Sequence, residues 1–349
     1  MAPYTVSDVE HAAGLSETAQ ELTNPGRGIL AADESNATMN SRLEKVGLEG
    51  TPEIRSAYRQ MLLETQGLGK FVSGVILYDE TIRATTSTGQ AFVELVRAAG
   101  VIPGIKVDTG AKPLANSAGE KVTEGLDGLA DRLTEYAEMG ARFAKWRAVI
   151  DIGDGLPSVM AVKVNAHALA RYAALCQQAG IVPIVEPEVM MTGDHDLDRC
   201  EEVTTSVLRT VFAALEEQDV LLEGIVLKPN MVVPGQDCSD QVTVDAVAEA
   251  TLRTLYRSVP AAVPGIAFLS GGQQDVAATE HLQAMNAGPV HPWSLSFSFG
   301  RALIASALET WKGDPGQVEA AQHVLFIRSR ANAAATRGGY DTELETLPV

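Results

Sequence analysis

Eight short apolar runs, each bounded by Gly, Pro or Asp, punctuate this chain, and helical patterns fill the gaps between them. The runs are 28–35 (GILAADES), 71–78 (FVSGVILY), 102–108 (IPGIKVD), 143–150 (FAKWRAVI), 181–187 (IVPIVEP), 223–230 (EGIVLKPN), 267–272 (AFLSGG) and 294–300 (SLSFSFG). Most begin about forty residues after the one before, which is room for a strand, a helix and a loop. Amphipathic spacing predicts helices over 52–65, 90–99, 126–139, 165–178, 197–217, 245–257 and 301–311. Eight strands, each followed by a helix, are what a (β/α)8 TIM barrel requires. Strands covered on both faces read as continuous apolar runs, as most of these do. An open doubly wound sheet is the alternative, but the first run ends in Asp33-Glu34-Ser35, without a G-x-G-x-x-G turn. No repeat or composition break marks a linker. The expected organisation is one domain over residues 1–349: an N-terminal arm, a barrel over about 28–312, and a C-terminal helix and tail over 313–349.

Charge and cysteine content remove several classes of function. Lys plus Arg is 27 and Asp plus Glu is 45, a formal charge of −18, which disfavours nucleic acid or an anionic membrane as partner. No apolar stretch is long enough to cross a bilayer. The start, MAPYTVSDVEHAAG, is neither basic nor apolar, so no signal or transit peptide is expected. Cys176, Cys200 and Cys238 match no zinc module and fit reduced thiols in a cytoplasm. The loop Asp194-His195-Asp196 has the chemistry of metal ligands. The six histidines lack H-E-x-x-H or paired spacing, however, and no catalytic metal is expected.

In a barrel the chemistry lies at the C-terminal ends of the strands, and polar residues stand there in this chain. The chain has only nine lysines, so those inside apolar runs are informative. Lys228 follows Ile225-Val226-Leu227. Lysine is seldom buried without a partner or a task. Beside other cations it is expected to lose its proton easily and to attack a carbonyl as a neutral amine. Lys145 and Arg147 share one side of the fourth run by period-2 alternation, and Lys106 lies on the neighbouring run. Together they form a pull on anions, or a set of ion pairs with Asp33, Asp108 or Glu186. Glu186 and Glu188 also share a side, and burial of Glu186 between Val185 and Pro187 is expected to raise its pKa into an acid–base range. Asp33 is a second candidate base, or the N-cap of a following helix. Ser270-Gly271-Gly272 and Ser298-Phe299-Gly300-Arg301 fall where barrels bind phosphate, after the seventh and eighth strands. No G-x-S-x-G elbow or Walker A sequence occurs.

These stretches resemble the class I (Schiff-base) fructose-1,6-bisphosphate aldolases. GILAADES, GVIL, GIKVD, FAKWR, IVPIVEPE, LKPNM, FLSGGQ and FSFGRAL stand in the family's order across nearly the whole chain. The resemblance implies a glycolytic and gluconeogenic lyase that cleaves fructose 1,6-bisphosphate reversibly into dihydroxyacetone phosphate and glyceraldehyde 3-phosphate. It implies Lys228 as the Schiff-base lysine, Glu186 as acid–base, Lys145 in charge stabilisation, and Asp33 in C3–C4 cleavage. It implies the ketose C1 phosphate on Ser270, Gly271, Gly272, Ser298, Gly300 and Arg301. The far end, with the C6 phosphate, would lie on Ser35, Arg42, Lys106 and Arg147, with Glu188 alongside. It further implies a cytoplasmic homotetramer without a metal or other cofactor. A sugar bisphosphate carries nearly four negative charges at neutral pH, because each second phosphate pKa is about 6. Arg42, Lys106, Lys145, Arg147 and Arg301 are about the number of cations such a ligand needs.

The sequence departs from the family's animal members in three ways. Ser41 replaces a lysine before Arg42, which weakens the expected hold on the far phosphate. The chain ends in Leu347-Pro348-Val349 rather than in a tyrosine that reaches the active site, and Tyr340 is not terminal. The tail is also shorter. The competing readings are a transaldolase-like Schiff-base barrel, a non-catalytic sugar-phosphate sensor or scaffold, and a metal-dependent aldolase.

Overall fold

The computed structural model describes residues 11–346 except Ala118 and Gln241. The expectation placed on Leu347-Pro348-Val349 lies outside the described residues. Eight parallel strands close into a barrel in sequence order. They are β1 (Gly28–Ala32), β2 (Val72–Leu77), β3 (Ile102–Lys106), β4 (Phe143–Ile150), β5 (Val182–Val189), β6 (Val226–Leu227), β7 (Gly265–Phe268) and β8 (Ser294–Phe299). Each overlaps one of the eight runs; β5 continues two residues past the end of its run, and β7 begins two residues before its own. β6 is shorter than its run because Leu222–Gly224 is a 3-10 turn and Pro229 has no N–H to continue the ladder. Lys228 N still donates to Val185 O at 2.8 Å, which fixes the lysine beside β5.

Alternation along the strands separates two apolar layers. Odd residues of β1 and β4 and even residues of β2, β3, β5 and β6 point inward: Ile29, Ile76, Ile102, Phe143, Val182, Ile184 and Val226 fill the barrel. Their neighbours, among them Val75, Ala144, Trp146, Val185 and Leu227, pack outward against the helices. Trp146 stacks near Tyr172 with ring centroids 5.6 Å apart. Gly104 makes room for the Phe143 ring, since a Cβ there would stand 2.3 Å from it. The helix Ala12–Leu22 was expected only as an arm. Instead it seats Leu15, Ala19 and Leu22 in the inner cluster and plugs the barrel's N-terminal end.

The helices Leu197–Glu217 and Arg301–Trp311 match their predicted spans, and the C-terminal helix is Val318–Ala335. Asp196 caps the first of these, accepting from Arg199 N at 2.8 Å. Helices Asn36–Lys45 and Asp275–Asn286 carry too little periodic apolar signal to be read from sequence. The first buries only Met39 and Leu43. A small antiparallel hairpin, Ala111–Pro113 with Lys121–Thr123, was likewise not anticipated.

Candidate active site

The inward columns change character toward the C-terminal ends of the strands. Phe143 is followed two and four residues on by Lys145 and Arg147, Ile184 by Glu186 and Glu188, and Val226 by Lys228. Ile29 and Ala31 lead to Asp33, and Ile102 leads through Gly104 to Lys106 and Asp108. Parallel register sets Lys106 beside Lys145 and Arg147 beside Glu186. The apolar plug thus forms the floor of a cavity of about 410 Å³ whose walls are charged.

Four buried groups form its centre. Lys228 Nζ lies 3.1 Å from Glu186 Oε1, Lys145 Nζ lies 3.0 Å from Glu186 Oε2, and Lys145 Nζ donates to Asp33 Oδ2 at 3.0 Å. Lys228 and Glu186 are each 3% exposed, so this chain of charges is screened from water. Asp33 is not a helix cap; that role falls to Ser35, which accepts from Thr38 N. Burial pushes the Glu186 carboxyl up, but Lys145, Lys228 and Arg147 outweigh burial and hold it below the usual carboxylate range. The expected upward shift is therefore corrected: three nearby cations reverse it. At Asp33 the same contest between burial and Lys145 with Lys228 leaves the carboxyl well below its usual range. Burial works against the Lys145 ammonium, yet Asp33 and Glu186 hold it well above the ordinary lysine value.

Around this centre the cations are mostly engaged. Lys106 Nζ pairs with Asp108 Oδ1 at 2.8 Å, Arg147 with Glu188, and Arg42 with Glu34, which also receives Arg59. Asp108, expected as an ion-pair partner, lines the cavity, and so does Glu34, which was not singled out although it stands next to Asp33. Tyr78, just after β2, and Thr38, on the helix Asn36–Lys45, also line the cavity and were not anticipated.

The opposite wall has open donors. Ser298 is 1% exposed, and its Oγ has no hydrogen-bond partner. Gly271 and Gly272 adopt φ of 60° and 103°, which favour glycine. The helix Arg301–Trp311 begins at Gly300 without a side-chain cap. Arg301 is exposed and has no hydrogen-bond or ion-pair partner among the described residues. Ser35, Arg42, Ser270, Gly271, Ser298, Gly300 and Arg301 line the same cavity as the central four, and Gly272 adjoins it.

Other candidates fall away from it. Tyr340 donates its hydroxyl to Glu345 at 3.2 Å and does not line the cavity. Among the described residues no group of three or more His, Cys, Asp or Glu side chains is placed to hold a metal, Asp194-His195-Asp196 included. No helix among them is long and apolar enough to cross a membrane.

Fold and site together define a barrel enzyme whose polar machinery sits at the C-terminal strand ends. A family model described as fructose-bisphosphate aldolase class-I matches residues 14–347. The chain is 54% identical over 325 residues to a probable fructose-bisphosphate aldolase class 1 of Xylella fastidiosa, covering 93% of this chain and 97% of that one. It is 51% identical over 331 residues to the chloroplastic fructose-bisphosphate aldolase 3 of Arabidopsis thaliana, covering 95% and 84%. A solved structure of fructose-bisphosphate aldolase from Plasmodium falciparum, in complex with TRAP and a small-molecule inhibitor, superposes with a TM-score of 0.94. It is 49% identical and covers 95% of this chain and 96% of that one. The chain belongs to the class-I fructose-bisphosphate aldolase family, and it is a carbon–carbon lyase.

Proposed function

We propose that this chain cleaves fructose 1,6-bisphosphate reversibly into dihydroxyacetone phosphate and glyceraldehyde 3-phosphate through an imine on Lys228. The observation that carries the reading is the Lys228–Glu186–Lys145–Asp33 chain, buried at the floor of an anion-sized cavity. Lys228 Nζ can pass a proton to Glu186 Oε1 across 3.1 Å and attack the ketose C2 carbonyl as an amine. Glu186 then returns a proton to the departing hydroxyl as water leaves and the iminium forms. Asp33, kept ionised by Lys145, takes the proton of the C4 hydroxyl as the C3–C4 bond breaks. The bonding pair flows into the iminium, giving an enamine and releasing the aldehyde. The electron sink is organic, so the reaction needs no metal. Protonation at C3 and hydrolysis of the imine release dihydroxyacetone phosphate and restore Lys228.

The open donors at Ser298, Gly271–Gly272, Gly300 and Arg301, with Ser270, hold the C1 phosphate in this reading. Ser35, Arg42, Lys106 and Arg147 hold the far end, and Glu188 orients Arg147. Residues 1–349 act as one barrel domain. By family likeness the enzyme works as a cytoplasmic homotetramer in glycolysis and gluconeogenesis. Borohydride reduction in the presence of dihydroxyacetone phosphate and EDTA, followed by peptide mapping, tests the central assignment. An adduct on Lys228 that disappears in Lys228→Ala supports it. An adduct on another lysine, or none, overturns it.

A further inference from the structure

Beyond β5 and β6 two loops run side by side, joined by backbone hydrogen bonds. Gly235 N donates to His195 O at 2.8 Å, Gln236 N to Met191 O at 2.7 Å, and Asp237 N to Gly193 O at 2.9 Å. Gly235 allows this approach, since a Cβ there would stand 2.1 Å from Gly193 O. The paired loops lean over the turn that follows β7. A Cβ at Gly272 would stand 3.0 Å from Gln236 Nε2 and 3.2 Å from Arg301 Nη2. Two donors therefore converge on the open side of Gly272. Among the described residues neither Gln236 nor Arg301 has a side-chain hydrogen-bond or ion-pair partner, and both are exposed to solvent. Donors that face one another without an acceptor between them suit an anion arriving from outside.

We propose that Gln236 is a further substrate-binding residue that grips the C1 phosphate of the ketose together with Arg301. This rests on the preceding reading that the Ser270–Gly272 turn holds that phosphate. A neutral amide donates directionally without adding charge. Its position is fixed by the backbone bond to Met191, which a side-chain substitution leaves in place.

The test is calorimetric titration of the whole protein with dihydroxyacetone phosphate, alongside steady-state kinetics on fructose 1,6-bisphosphate and fructose 1-phosphate. Removing one hydrogen bond to a charged group in Gln236→Ala should weaken dihydroxyacetone phosphate binding about tenfold. The loss should fall on KM rather than kcat, and equally for both ketoses, because they share the C1 phosphate. Gln236→Glu should be weaker still by repulsion, and Gln236→Lys, which restores a donor, should recover binding. A merely structural role would not follow that charge order. Unchanged binding in Gln236→Ala, a failure of Gln236→Lys to recover, or a KM rise confined to the bisphosphate would overturn the proposal. If borohydride trapping missed Lys228 while the Gln236 series held, the lysine assignment would fall and Gln236 would stand.

Discussion

Lys145→Met is the most informative single change, because it removes one charge from a closed chain and leaves the packing volume nearly intact. Lys145 Nζ stands 3.0 Å from both Asp33 Oδ2 and Glu186 Oε2. Glu186 would keep Lys228 as a partner at 3.1 Å, while Asp33 would keep no contact partner. Breaking a buried pair by removing one member costs about 3–5 kcal/mol. Unfolding entropy near 2.1 cal/mol/K per residue gives a chain of 349 residues about 0.7 kcal/mol per degree. Melting should therefore fall by about 4–7 °C at pH 7.5. The pH dependence gives the sign. In the wild type the Asp33 pKa is depressed, so its contribution is fully present above the unfolded carboxylate value and is lost only in strong acid. In the variant, burial, the largest influence on Asp33, is opposed only by Lys228 and Lys106, and the folded pKa should rise above the unfolded one. The penalty is then full at high pH and relieved as pH falls toward the raised pKa. Differential scanning calorimetry at pH 7.5 and pH 5 should show the gap between variant and wild type narrowing in acid. The acid limb of kcat/KM should move upward as Asp33 protonates. A melting deficit equal at both pH values would mean that lost packing, and not an uncompensated carboxylate, destabilises the variant.

Four other outcomes follow from the same geometry. Ser298→Ala removes a buried hydroxyl without a partner, so thermal stability should hold or rise while KM for fructose 1,6-bisphosphate increases; a fall in both melting temperature and affinity would mean the hydroxyl is already satisfied. Gly272→Ala places a Cβ 3.2 Å from Arg301 Nη2 at a φ of 103°, and should raise KM about tenfold with a melting loss of about 1–4 °C, as strain of about 1–3 kcal/mol implies. Arg301→Ala, at an unpaired guanidinium, should weaken dihydroxyacetone phosphate binding about tenfold or more in calorimetry without lowering melting temperature. Activity should persist after dialysis against EDTA; its loss, with recovery on adding zinc, would contradict imine chemistry.

The barrel was legible because a strand buried on both faces must be apolar along its length, and eight such runs occur. The inward direction of Lys145, Arg147, Glu186 and Glu188 was legible for the same reason, since period 2 is rigid. Asp33, Asp108 and Glu186 were legible as ion-pair partners of these cations, but which cation meets which carboxylate was not. Asp33 and Lys145 are 112 positions apart, and only closure of the barrel brings them to 3.0 Å. The sign of the Glu186 shift also escaped, because burial and charge oppose each other there and the winner depends on three distances. Glu34 passed unnoticed as the anchor of Arg42 and Arg59, although it adjoins Asp33, because its partners come from two other segments. The helix Ala12–Leu22 was read only as an arm, and its role as a plug depends on the open barrel end it meets.

The pairing pattern explains how a chain of net charge −18 keeps an anion site. Six cations line the cavity (Arg42, Lys106, Lys145, Arg147, Lys228 and Arg301), and so do five carboxylates (Asp33, Glu34, Asp108, Glu186 and Glu188). Unoccupied, the cavity is almost neutral, so it does not carry the self-repulsion of six bare cations. Every cation except Arg301 already has a carboxylate within ion-pair distance. A phosphate bound as proposed would meet no contact ion pair at the Arg301 end, where Asp275 acts on the guanidinium only from beyond ion-pair distance, whereas at the far end it would compete with Glu34 for Arg42 and with Glu188 for Arg147. On the proposed reading, the two ends of one symmetric-looking ligand are held on unequal terms. The end with free donors would then hold the ketose carbonyl near Lys228, and the end with engaged cations would be the one that lets the aldehyde fragment go.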